Sequence, residues 1–291
     1  MAKNEKKEIS NLMELLDEQD ESLFARIFEK ILSYGLAAIP YLEIAREKSL
    51  DDLVHSRIRN LVSRIKVQNL FSELHNWAIM DSDDLLKGYY IVSKYQFPDL
   101  EEERVMAKVE SLKKEVWLEL KKGMTPFEEL KVMSKVFFEI KKMWINPNLD
   151  AMPDSLCLNA VLNSGKGYTQ ALSVLYTGIA QRLGIPIYGV RRPESFLLAY
   201  VYSANPHERD MYKDVQFYLN PFYVGFFSSI DEVERDLKND FPGEFEKYKG
   251  ACTNTELIAQ LLNSMVCPFY NQSREDKVDD IDMLIKALNV D

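Results

Sequence analysis

Between Thr169 and Leu183 the apolar residues fall at Leu172, Leu175, Tyr176, Ile179, Ala180 and Leu183. Steps of three and one place all six on a single helical face. Lys166-Gly167 leads into this segment, and Gly184 with Pro186 stops it, a glycine just past the last apolar residue and a proline soon after. Burying one Leu or Ile is worth roughly 1.5–3 kcal/mol, so a stripe of this kind predicts a core helix. Three short β-prone runs follow: Ile187 to Val190, Phe196 to Tyr202, and Val215 to Leu219. Asn205-Pro206 marks a turn between the last two. The stretch therefore reads as a helix packed on a small antiparallel sheet. Its polar positions lie at the helix start, at Ser195 and at Asn220.

The flanks are helical in pattern. Ile9, Leu12, Leu15 and Leu16 mark one stripe; Leu23, Ile27, Ile31 and Leu32 mark the next. Asp20 or Ser22 can cap the second helix, and Ile39-Pro40 opens a third through Tyr41, Ile44 and Ala45. The periodicity resumes at Leu53, Ile58, Leu61, Val62 and Ile65, where Arg57, Arg59 and Arg64 read as a solvated face. A helix over Asp83 to Gln96 comes next, then one over Glu101 to Lys122 with Val105, Val109, Leu112, Val116 and Leu120 inward. Thr125-Pro126-Phe127-Glu128 combines a threonine cap, proline in the first turn and an acid three residues after the cap, so a helix is expected from there to Trp144. Beyond the sheet, one helix starts at Ser229 or Asp231. A second starts at Thr253 or Asn254 and is expected to break near Pro268, and a third covers Lys277 to Asn289. The expected class is α+β, mainly α, in three parts: a helical segment over 1–80, a helix-on-sheet core over 81–230 and a C-terminal helical segment over 231–291.

Composition narrows the partners. A net charge of -10 disfavours nucleic acid and anionic membrane surfaces. No run approaches the ~20 apolar residues of a membrane span, so a cytoplasmic setting is expected. Cys157, Cys252 and Cys267 form no paired motif, and His55, His75 and His207 have no metal-ligand spacing. Neither a metal nor a cofactor is expected, and Cys157 reads as a buried thiol.

Several blocks in order resemble one family. Leu158 to Leu162, then Gly167, Leu183-Gly184-Ile185-Pro186, Gly189-Val190, Pro193-Glu194-Ser195-Phe196 and Leu219-Asn220-Pro221-Phe222 with Gly225 are similar to the bacterial transglutaminase-like family that includes the SirB-type proteins. The first part resembles HEAT-like helical pairs, and the last two helices resemble a tetratricopeptide-like pair. The resemblance implies a papain-like core with a cysteine at the helix start, a histidine on one strand and an aspartate on the next. In such a unit a thiolate attacks an amide carbonyl, imidazole shuttles the proton and a carboxylate orients the imidazole. Carried over, the cysteine position falls on Thr169, the histidine position on Ser195 and the aspartate position on Asn220.

None of the three is the residue that mechanism requires. A threonine hydroxyl is a poor nucleophile without an adjacent base, and a serine is no base near neutral pH. The expectation is a catalytically silent member that binds or scaffolds a protein or peptide, with Thr169, Gln170, Ser195 and Asn220 lining a retained pocket. The alternative is an amide hydrolase or acyl transferase using Thr169 or a rearranged residue. Plainer readings stand beside both: Thr169 capping its helix, Ser195 and Asn220 bonded to each other, and Arg191-Arg192 solvated.

Overall fold

A computed structural model describes residues 3–145, 152–190, 197–202, 210–211, 213–222, 227–240, 243, 248 and 250–289. The chain forms two compact units, Met1–Glu73 and Leu74–Asp291. In order come α1 (Lys3–Met13), α2 (Glu21–Leu32), α3 (Ile39–Lys48), α4 (Asp52–Met80), α5 (Leu85–Ser93), α6 (Glu102–Glu119), α7 (Pro126–Ser134), β1 (Trp144–Ile145), α8 (Leu158–Ser164) and β2 (Lys166–Gly167). Then follow α9 (Thr169–Arg182), β3 (Ile187–Gly189), β4 (Leu198–Val201), β5 (Val215–Leu219), β6 (Phe227–Ser228), α10 (Ile230–Asp240), α11 (Asn254–Asn271) and α12 (Glu275–Lys286). The class is α+β, mainly α.

In the first unit Leu16, Phe24, Ile27, Ile31, Leu42, Ile58, Leu61 and Ile65 form the core. Asp20 caps α2, its carboxylate accepting from the Ser22 and Leu23 amides. Leu15, Leu23, Ile44 and Leu53 turn outward, unlike their stripe neighbours. Arg57 corrects the expectation of a solvated arginine face. It is buried, donates to the Leu16 and Glu18 carbonyls at 3.0 and 2.7 Å, pairs with Glu21 at 3.1 Å and lies 3.6 Å from the Phe24 ring centroid. Its guanidinium supplies donors for main-chain carbonyls in the turn after α1, which helix geometry leaves open.

In the second unit the helix starts are written locally. At α7 the Thr125 hydroxyl accepts from Glu128 N while the Glu128 carboxylate accepts from Thr125 N at 2.7 Å. Ser229 with Glu232 before α10 and Thr253 with Glu256 before α11 repeat the reciprocal bonds. Other boundaries shift. The expected helix to Trp144 instead widens into π turns over Lys135–Ile140, and Trp144 enters β1. Pro268 sits inside α11, and Leu120 lies just past the end of α6.

β3 to β6 form an antiparallel meander in that order, with Leu198 opposite Leu219 and Tyr200 opposite Phe217. One face, through Ala199, Val201, Val215 and Tyr218, packs with Val233 and Leu237 of α10. α9 is buried on every side: all ten residues from Ala171 to Ala180 are inaccessible. It contacts α5, α6, α8, α11 and β3. The six-residue stripe of the sequence is thus only part of its packing surface. Small residues permit the rest, since a Cβ on Gly178 would meet Leu86 Cγ and lie 2.6 Å from its Cδ2. Gly184, at φ +78°, ends the helix, and Ile185 N reaches back to Ala180 O at 2.9 Å.

Candidate functional site

The start of α9 is set by what precedes it. β1 and β2 pair in parallel, Trp144 against Lys166 and Ile145 against Gly167. Gly167 is required by close approach: a Cβ there would stand 2.9 Å from Val161 Cγ2 and 3.2 Å from Leu172 Cγ. Tyr168 occupies the cap position, makes no side-chain cap bond, and donates its amide to Ser155 O at 3.2 Å. Thr169 is therefore the first helical residue, half-buried, and does not cap the helix. Trp144 is 58% exposed, with the Lys166 ammonium 5.4 Å from its ring centroid.

Asn220 ends β5. Its side-chain oxygen accepts from Phe222 N at 3.1 Å, a turn closed by the residue's own side chain. Phe222 lies 5.3 Å from Phe138, and Phe138 stacks 6.3 Å from Tyr176 of α9. Tyr176 is seven residues beyond Thr169 and so shares its helical face, about two turns along. The Tyr176 hydroxyl bonds Ser134 Oγ at 3.1 Å and Leu130 O at 3.3 Å, and burial pushes it well above its ordinary titration range. An aromatic chain thus ties the Asn220 turn to the face of α9 that begins at Thr169. Ser195 and Arg191-Arg192 lie outside the described residues.

Among the described residues no histidine is hydrogen-bonded to Thr169. His55 bonds the Arg46 and Ser49 carbonyls, His75 bonds Ala287 O, and His207 lies outside the described residues. Cys157 is buried at the cap position of α8, where loss of solvent, then the nearby Asp154 charge, push its thiol far up. A thiol in that state is not a nucleophile at neutral pH. Among the described residues no group of His, Cys, Asp and Glu could hold a metal. None of the described helices is long and apolar enough to cross a membrane.

The buried oxygens of Asn159, Gln170, Ser173 and Thr177 have no hydrogen-bond partner among the described residues. The last three recur at steps of three and four, on one side of α9. Of these only Gln170 is among the pocket positions expected from the sequence. Ser173 and Thr177 sit inside an apolar run and Asn159 inside a family block, so neither periodicity nor spacing singles them out.

A transglutaminase-like superfamily model matches residues 103–263, more than half of the chain. The chain belongs to the transglutaminase-like superfamily. The match runs from the first turn of α6 into α11, so this superfamily domain contains α9 and the whole meander. A search of curated proteins found no match, and neither did a search of solved structures.

Proposed function

We propose that the chain is a catalytically silent transglutaminase-like protein that binds a protein or peptide at the start of α9. The observation that carries this reading is the environment of Thr169. It occupies the helix start where the family resemblance puts a cysteine, and no histidine or carboxylate is hydrogen-bonded to it among the described residues. Asn220, at the aspartate position, uses its oxygen on its own turn and carries no charge to stabilise an imidazolium. Ser195, at the histidine position, is no base near neutral pH.

A retained cleft of Thr169, Gln170, Ser195 and Asn220 keeps hydrogen-bonding groups, and the exposed Trp144 beside it offers the kind of large aromatic that anchors partners. On this reading the chain is of SirB type and acts in the cytoplasm. Its first helices are HEAT-like, its last pair is tetratricopeptide-like, and both serve as scaffolding. The test is capture of partners from the native cytoplasm with the full chain and with a Ser195→Ala, Asn220→Ala double variant. The double variant is expected to lose them, and an unchanged set would remove the cleft as the binding surface. Incubation with amine donors, glutamine peptides and activated esters is expected to leave the mass of the protein unchanged. A trapped adduct or turnover would restore the enzyme reading.

A further inference from the structure

At the far end of α9 a second surface departs from the character of the chain. Trp117 and Leu118, neighbours near the end of α6, are each 62% exposed. A groove of about 800 Å³ runs beside Trp117, between Ala107, Ser111 and Lys114 of α6 and Arg182-Leu183 where α9 ends. Adjacent apolar side chains left in water beside a groove form the kind of surface at which partners and ligands bind.

The charges at the groove are fixed. Arg182 donates to Glu110 at 3.0 Å and to both Asp84 oxygens at 2.9 and 2.8 Å, and Lys113 pairs with Glu110 at 2.5 Å. Those two carboxylates balance Lys113 and Arg182. Lys114, exposed on the groove wall, has no carboxylate partner among the described residues, so the groove carries surplus positive charge on a chain whose net charge is -10. The Arg182 clamp holds one wall in place before anything binds, which reduces the ordering cost of association.

We propose that this groove docks a short acidic segment of another protein, with an aliphatic side chain against Trp117 and a carboxylate on Lys114. The choice of an acidic partner rests on charge complementarity, and tryptophan is among the residue types enriched at binding hot spots. The site is independent of the cleft at Thr169. The 14 residues of α9 separate the two by about 20 Å.

The test is fluorescence anisotropy of a labelled peptide alternating Glu and Leu, titrated with the full chain, beside a Lys–Leu counterpart. The acidic peptide is expected to bind, and the basic one is not. Trp117→Ala and Lys114→Glu are each expected to weaken binding about tenfold or more, with rising salt reproducing part of the Lys114→Glu effect. Both side chains are exposed, so thermal unfolding of the variants is expected to match the parent and to separate lost binding from lost folding. Asn220→Ala is expected to bind the peptide unchanged, whatever it does to partners of the other cleft. No binding of the acidic peptide, equal binding by Trp117→Ala, or preference for the basic peptide would overturn the proposal. So would concentration-dependent self-association abolished by Trp117→Ala, which would assign the groove to a second copy of the chain.

Discussion

The Ser93 hydroxyl on α5 accepts a hydrogen bond from Leu158 N, the first amide of α8, at 2.8 Å, and donates to Tyr89 O at 2.8 Å. It does the work of a cap from a different helix. Cys157, at the cap position itself, carries a weak sulfur acceptor and makes no side-chain cap bond. Ser93→Ala leaves a buried amide without its acceptor, which costs about 1–3 kcal/mol. A lowered urea midpoint at unchanged slope is the expected result. Ser93→Thr, which keeps the hydroxyl, is expected to recover part of it.

Gly178 and Leu86 give a second prediction. A methyl at Gly178 would collide with the middle of a fully buried leucine rather than with a movable chain end. Gly178→Ala normally gains helix propensity of about 1 kcal/mol, but here overpacking of about 1–3 kcal/mol opposes it. Net destabilisation is expected by thermal melting. Adding Leu86→Ala to Gly178→Ala is expected to cost less than the two single effects summed, because the second change opens the space the first needs.

The three cysteines are expected to react unequally. Cys267 is exposed, whereas Cys157 and Cys252 are buried. Thiol titration of the folded protein is expected to count one fast group, assigned to Cys267 by loss of the signal in Cys267→Ser. The other two are expected to appear only on unfolding. Prompt reaction of Cys157 at neutral pH would contradict its buried, protonated state.

Glu129 supplies the pH dependence. Burial raises its pKa above the ordinary 4.5. A carboxyl held high in the folded state favours its protonated form, so its ionisation costs stability. The cost is absent on the acid side of 4.5 and fully present once the pH exceeds the folded value. Glu129→Gln is therefore expected to raise the melting temperature at neutral pH. The gain is expected to vanish when both proteins are melted in acid.

What the sequence disclosed depended on how local the cause was. Thr125-Pro126-Phe127-Glu128 shows its capping box within four residues, and the box is there. Leu219-Asn220-Pro221-Phe222 stands out only as a family block, and the turn that Asn220 closes on Phe222 N is not among its sequence expectations. Arg57 reads as solvated from sequence because nothing adjacent separates it from Arg59. Its partners at Leu16, Glu18 and Glu21 lie 36 to 41 positions away. The stripe on α9 identified a core helix but not its burial on all sides. That outcome depends on Ala171, Ser173, Thr177 and Gly178, whose small size carries little hydropathic signal until neighbouring helices close on them. The pairing of β1 with β2 rests on two residues each, below what alternation can reveal.

Because Thr169 stands only half-buried at the rim of α9 while Ala171 to Ala180 carry its packing, the position that the proposed reading assigns to the lost nucleophile and the positions that hold the helix in place are different side chains. A substitution at Thr169 is therefore expected to leave the buried part of the helix packed. On the proposed reading, shape outlasts chemistry here and the surviving shape serves recognition.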